Sequence, residues 1–311
     1  MTTPSTTESI DPIAAREKLF NGRLALPDSR GERFKRGLHQ FFGGKWLNVL
    51  GVFLIALFLF DSLLGPTLAP HNPLKPAIYD QLQGPSLSHP FGTDSLGRDV
   101  LSRVMSGARI SLGVAAIVLT IAVTLGVLIG GISGFFGGFI DDILMRFTDL
   151  FLAFPFLVLA IAISASLGPS LRNTVIALSA VYWPWYARLV RGQVLTVRTR
   201  EYIESARSCG CSNWRLLFRH VMPNAISPVI VQVTLDIGYA ILATASLSFI
   251  GLGAQPPSPE WGAMINDARA YFQSAWWYIT FPGLALAFTV LGFNLVGDGL
   301  RDFLDPRTRG N

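Results

Sequence analysis

Few side chains in this sequence have types suited to bond-making chemistry, and their spacing removes most of them. The histidines His39, His71, His89 and His220 are scattered along the chain and form no set with the spacing of a tetrahedral zinc site. His71 and His89 share one loop and could touch a metal, but two loop histidines usually read as solvated polar residues. Cys209 and Cys211 are the only cysteines; a disulfide or zinc site is not expected from them in a reducing compartment. A phosphate-cradling loop reads Gly-x4-Gly-Lys-Ser/Thr. The one Gly-Lys pair, Gly44-Lys45, has His39 and Trp46 at the flanking positions, so ATP hydrolysis by that route is not expected.

The exception is Asp236, in the middle of an apolar run. Gln232 lies one turn before it, and Tyr239 and Ala243 lie one and two turns after, so at helical spacing all four share a face. An ionised carboxylate facing lipid costs roughly 2.5–3.5 kcal/mol on the insertion scale. Asp236 should therefore face a bundle interior or a water-filled path. Two readings stay open: a packing carboxylate bonded to a neighbouring helix, or a contact for a passing solute, with Gln232, Asp236 and Tyr239 as the candidate path residues.

The elements that must position these residues are membrane helices. Half of the residues are apolar and only 14% are charged, against about a quarter charged in soluble domains. Six apolar runs lie near 46–65, 109–134, 150–168, 174–190, 225–250 and 277–297. Each approaches the roughly 20 residues a helix needs to cross the hydrocarbon. Helices satisfy every backbone group internally, and the alternating pattern of a barrel strand is absent, so the expectation is an all-α polytopic membrane protein with six transmembrane helices. Its organisation reads as a cytoplasmic tail over 1–45, a first span at 46–65 and an outer loop at 66–108. A five-helix core over 109–297 follows, with a polar loop at 191–224, and then a C-terminal tail over 298–311.

The basic residues orient it. With residues 1–45 inside, that side carries 19 of the 25 Lys and Arg, seven of them between Arg188 and Arg219. The outer side holds Lys75, Arg98, Arg103, Arg109, Arg172 and Arg269. The positive-inside rule then places both termini in the cytoplasm. The net charge of +5 reports this topology and carries no nucleic-acid signal. The first apolar run follows about 45 mostly polar residues, too long a leader for a signal peptide, and should stay as an anchor; residues 1–35 read as a loose tail.

Gly126, Gly130, Gly134 and Gly138 are four apart and should line one helix face, letting a second helix approach closely. Tyr182-Trp-Pro184-Trp-Tyr186, followed by Arg188 and Arg191, reads as an interfacial aromatic belt.

Between two apolar runs sits the polar segment from Glu201 to Asn224. It reads as two short helices hinged at a glycine. Thr199 should cap the first, and Gly210 sits where a left-handed C-cap is wanted. Ser212 should cap the second, which carries Leu216, Leu217 and Val221 and which Pro223 should end. Such an element has no bilayer role and must dock on something in water.

Its order, Glu204-Ser205-Ala206, Gly210 and then His220-x-Met222-Pro223, resembles the EAA loop of ABC-importer permeases, with Ser205 for an alanine and His220 for an isoleucine. Phe91-Gly-Thr-Asp-Ser-Leu-Gly-Arg-Asp99, Leu252-Gly-Ala-Gln-Pro-Pro-Ser-Pro-Glu-Trp-Gly262 and Phe293-Asn-Leu-Val-Gly-Asp-Gly-Leu-Arg-Asp-Phe-Leu-Asp-Pro306 resemble its peptide-importing branch. Together the motifs cover residues 46 to 307 in order, and the chain looks like the second, C-type permease of a dipeptide or oligopeptide importer. The resemblance implies a type I ABC-importer fold in a bacterial inner membrane. It implies a heterodimer with a B-type permease, two cytoplasmic ATPases that bind ATP and Mg, and an extracytoplasmic solute-binding protein. It also implies a coupling role for Glu204, Ser205, Ala206, Gly210 and Asn213. Glutathione and nickel are alternative cargoes. An ion-coupled secondary transporter would want several midplane ionisable groups and inverted repeats, and leaves the docking loop unexplained.

Overall fold

The computed structural model describes residues 46–304, with side chains to 302. Expectations for residues 1–45 and 305–311 lie outside the described residues. The chain runs through α1 (Trp46–Leu68), α2 (Val100–Phe136), α3 (Gly138–Leu152), α4 (Phe156–Leu167) and α5 (Leu171–Val197). Short helices α6 (Glu201–Ser208) and α7 (Asn213–Arg215) follow, and a π-helical stretch Leu216–Val221 leads into α8 (Met222–Ala225). The chain then forms α9 (Ser227–Phe249), α10 (Trp261–Ala268) and α11 (Trp276–Leu304). Among the described residues there is no strand.

Four helices, α1, α2, α9 and α11, are long and apolar enough to cross a membrane. The run expected as one span at 150–168 is instead broken: α3 and α4 meet at 87°. Pro155 accounts for the stop, because a proline disfavours the helical region for the residue before it and α3 ends at Leu152; it does not set the angle. Taken as one broken span, the pair raises the number of candidate crossings to five. Helix α5 has 27 residues, roughly 40 Å at 1.5 Å per residue, which is length enough to cross. Its polar content keeps it below that hydropathy, and about half of its residues are buried in the bundle.

Helix α5 is central because the glycine face of α2 lets it in. A Cβ on Gly126 would lie 2.8 Å from the Trp183 carbonyl oxygen, and one on Gly134 2.9 Å from that of Arg191. At Gly130 it would run into the Ala187 backbone, which cannot swing away as a side chain can. Gly138 does not belong to this stripe. Helix α2 ends at Phe136, and Gly137 and Gly138, at φ +67° and +57°, turn the chain into α3. The aromatic segment around Pro184 is also not an interfacial belt: Tyr182, Trp183, Pro184 and Tyr186 are buried in mid-α5 and only Trp185 is exposed. Arg191, expected to flank that belt, instead makes a two-pronged pair with Asp141 of α3 at 2.6 Å through Nε and Nη2.

The segments 69–99 and 250–275 interlock at one end of the bundle. Trp277 Nε1 donates to the Thr93 carbonyl at 3.1 Å, and Trp261 Nε1 to that of Val104 at 3.0 Å. Asp94 anchors the first segment, accepting from Arg98 Nε at 2.6 Å and from the Leu96 and Arg98 amides at 2.8 and 2.9 Å. Asp99 caps α2, accepting from the Ser102 amide at 2.8 Å, so this helix starts at Val100, well ahead of the apolar run at 109–134. Glu260 caps α10 in the same way through the Ala263 amide at 2.9 Å. Burial pushes the Glu260 carboxyl above the usual carboxylate range, an effect the Gly262 and Ala263 amides oppose. At the opposite end lie the starts of α1 and α3, the whole α6–α8 region and the last turns of α11, which continues to Leu304 rather than stopping at 297.

Candidate functional site: a docking segment and an aromatic cavity

The polar segment hangs from the end of α5. Arg198 fastens it, donating through Nη1 to the carbonyls of Gly134 and Phe135 at 2.8 and 3.2 Å, at the C-terminal end of α2 where cations are favoured. Thr199 does not cap α6. Its hydroxyl donates back to the Thr196 carbonyl at 3.1 Å, and Arg200 takes the N-cap position without a side-chain bond. At the other end of α6, the Cys211 amide reaches the Ala206 carbonyl at 3.2 Å and the Gly210 amide reaches that of Arg207 at 2.9 Å. This is the Schellman pattern, and Gly210 supplies its left-handed residue at φ +82°.

Ser212 precedes α7 as the N-cap, again with no side-chain bond. Pro223 does not end the second helix. The π-helical stretch, in which the Met222 amide bonds the Leu217 carbonyl five residues back, absorbs one extra residue. A fresh helical segment then begins with Pro223 in its first turn, where the missing N–H is harmless.

The inner face of this unit is apolar. Ile203, Leu216, Leu217 and Val221 are buried. Its outer face exposes Glu204, Ser205, Gly210 and Asn213, with Ala206 half-buried behind them. Trp214 and Phe218 are stacked with ring centroids 5.8 Å apart, yet 55% and 49% exposed. Large aromatics left open beside glutamates and arginines form a surface suited to another protein. These two aromatics are the residues sequence reasoning missed; their i, i+4 spacing on a polar segment was the available signal.

The second site is a cavity of about 870 Å³ between α4, α5 and α9. Phe156, Tyr182, Tyr186, Gln232, Asp236 and Tyr239 are among its lining residues, and Ala243 also faces it. The four residues placed on one face by helical spacing therefore do share a wall. Asp236 accepts from Tyr186 Oη at 2.6 Å and from Gln232 Nε2 at 2.9 Å. It is thus both bonded to a neighbouring helix and on the cavity surface. Arg188 stands at the same cavity, paired with Asp149 of α3. An oriented carboxylate among tyrosines, with a guanidinium on the same cavity, can attract a cationic group and pack an apolar one.

Residues 126–310 match the family described as the binding-protein-dependent transport system inner membrane component. The chain belongs to this family. It is 46% identical over 263 residues to the dipeptide transport system permease protein DppC of Alkalihalophilus pseudofirmus, covering 85% of this chain and 86% of that protein. It is 47% identical over 267 residues, 86% and 90% of the two chains, to the probable D,D-dipeptide transport system permease protein DdpC of Escherichia coli. It is also 45% identical over 302 residues to the glutathione transport system permease protein GsiD of Shigella flexneri, covering 94% of this chain and all of that one. Within this inner membrane component, the matched region takes in the docking segment and the α5 and α9 walls of the cavity.

Proposed function

We propose that this chain is one of two membrane subunits of an ATP-driven importer that carries peptides across a bacterial inner membrane. The observation that supports it is the α6–α8 unit, whose buried inner face ties it to the bundle and whose exposed Glu204, Gly210, Asn213, Trp214 and Phe218 face outward. A partner pressing on that unit moves the end of α5, which runs into it at Arg198, and the end of α2, which Arg198 bonds; α5 carries Tyr182 and Tyr186 of the cavity wall. ATP and Mg belong to two partner ATPase subunits; this chain's residues form half of a path and transmit their motion. A homologous B-type permease supplies the other half, and an extracytoplasmic binding protein delivers cargo. Peptide cargo is supported by the dipeptide relatives; glutathione, itself a small peptide, fits the same path.

The orientation is cytoplasmic for both termini and for 191–224. The cluster of Arg198, Arg200, Arg207, Arg215 and Arg219 at the α6–α8 end supports it. Single cysteines at 75 and 213 test it in cells. An impermeant thiol reagent should label position 75 from outside and leave 213 untouched; the reverse pattern would overturn the orientation.

The function itself is tested by reconstituting the full complex in vesicles with its own binding protein. ATP-dependent uptake of a radiolabelled dipeptide or glutathione is expected to depend on this chain. Binding protein that holds neither compound, with no uptake of either, would reject a peptide cargo.

A further inference from the structure

Outside both sites, the interlocked outer segment holds a second kind of chemistry. His71 and His89, 18 positions apart, lie with ring centroids 4.7 Å apart and planes tilted by 34°. Both turn Nδ1 toward one carboxylate: His89 Nδ1 is 3.0 Å from Asp99 Oδ1, and His71 Nδ1 is 3.9 Å from Asp99 Oδ2. One ligand atom from each of the three residues lies within 4.8 Å of the others. The sequence offered the histidines without a third partner; the folded loop sets a carboxylate beside this pair.

The carboxylate is held ready. The Asp99 side chain is fully buried at 0% exposure. Its Oδ2 accepts from the Ser102 amide at 2.8 Å and the Ser102 hydroxyl at 2.6 Å, at the first turn of α2. The same Ser102 hydroxyl oxygen accepts from the His71 backbone amide at 3.0 Å. One serine therefore orients one ligand and anchors the backbone of another, the outer-sphere support that fixed metal sites show. The nearby guanidiniums do not serve Asp99: the ion pairs of Arg98 and Arg103 run to Asp94. Besides the Ser102 amide and hydroxyl in the first turn of α2, the groups turned toward Asp99 are the two imidazoles.

We propose that His71, His89 and Asp99 form a binding site for a divalent transition cation of the zinc type. Bonds of 2.0–2.1 Å in tetrahedral geometry put ligand atoms about 3.3 Å apart. The two separations to Asp99, 3.0 and 3.9 Å, bracket that figure. His71 is the most exposed member, its side chain 43% accessible, so a small ring rotation brings its nitrogen in. Two imidazoles and one carboxylate select zinc, cobalt or nickel over calcium or magnesium, which want oxygen ligands. Three protein ligands leave a position for water or a solute. A bound ion ties the chain after α1 and the turn at His89 to the first turn of α2. This holds whichever cargo the protein carries.

The test uses the full-length chain without a polyhistidine tag, in nanodiscs, stripped by chelator and titrated with Co²⁺ and Zn²⁺. One saturable site per chain is expected, with Kd at or below about 10 μM and visible Co²⁺ bands of four- or five-coordinate intensity. His71→Gln and His89→Gln should each weaken it at least about tenfold, the lower bound already seen for losing a mere supporting residue. Asp99→Asn is a poor test because Asp99 also caps α2. Should either variant fail to fold, wild-type protein still decides. Zn²⁺ must then protect His71 and His89 from acylation by diethyl pyrocarbonate. No saturable binding, binding unchanged in both glutamine variants, or unprotected histidines would overturn the site.

Discussion

Gly210→Val is expected to uncouple the complex while leaving it assembled. The Schellman turn holds Gly210 at φ +82°, and a side chain there would meet nothing within 4 Å. The substitution therefore acts through backbone strain alone. A left-handed residue with a Cβ costs roughly 1–2 kcal/mol, and a β-branched one sits at the upper end. That shifts the ratio of native to lost turn against the native one by about 5–30-fold. With the turn lost, the second short helix tilts, and Trp214 and Phe218 leave the position that Glu204 and Asn213 share with them. Uptake and substrate-stimulated ATPase should fall together by that order in reconstituted complex, with membrane insertion and subunit association unchanged. Normal stimulated ATPase in this variant would mean that the α6–α8 unit does not couple.

Asp236→Asn is expected to weaken recognition without unfolding the bundle. Asparagine keeps an oxygen for the Tyr186 hydroxyl, which now donates at 2.6 Å, and its amide nitrogen replaces the oxygen that accepts from Gln232 Nε2, so the Gln232 amide must turn round to accept from it. What disappears is charge. A hydrogen bond to a charged group contributes about 1.5–3 kcal/mol and a neutral one about 0.5–1.5, so a substrate ammonium loses on the order of 1 kcal/mol. Transport of peptides with a free amine should drop roughly fivefold relative to N-acetylated ones. A cysteine at 236 should react with a water-soluble thiol reagent in at least one nucleotide state. An Asn variant that transports both peptide classes normally, with a cysteine inert in every state, would make Asp236 a packing residue.

Some of this was determined by the sequence alone, because it rests on near neighbours along the chain. Hydropathy over 20-residue windows places α1, α2, α9 and α11. Four-residue spacing puts Gly126, Gly130 and Gly134 on one face, and Gln232, Asp236, Tyr239 and Ala243 on another. A glycine at the end of a short polar helix announces the left-handed turn at 210. Each of these follows from backbone hydrogen bonding and side-chain periodicity, which operate within a turn or two.

The tertiary structure decided what depends on distant segments. Helix α5 is buried by α2, so Tyr182, Trp183 and Tyr186 serve a core and a cavity wall, where their order along the chain had read as an interfacial belt. Pro155 shows locally as a helix stop, but only the packing of α4 on α5 sets the 87° break. Gly138 lies in step with the glycine stripe yet leaves it, because α2 ends two residues earlier. Pro223 fails to stop its helix because a π-helical stretch shifts the bonding register ahead of it. His71, His89 and Asp99 converge through loop closure over 28 residues, which no local period encodes. Long-range pairs like these are selected by which helix crossings bury apolar surface, and that is a property of the whole bundle.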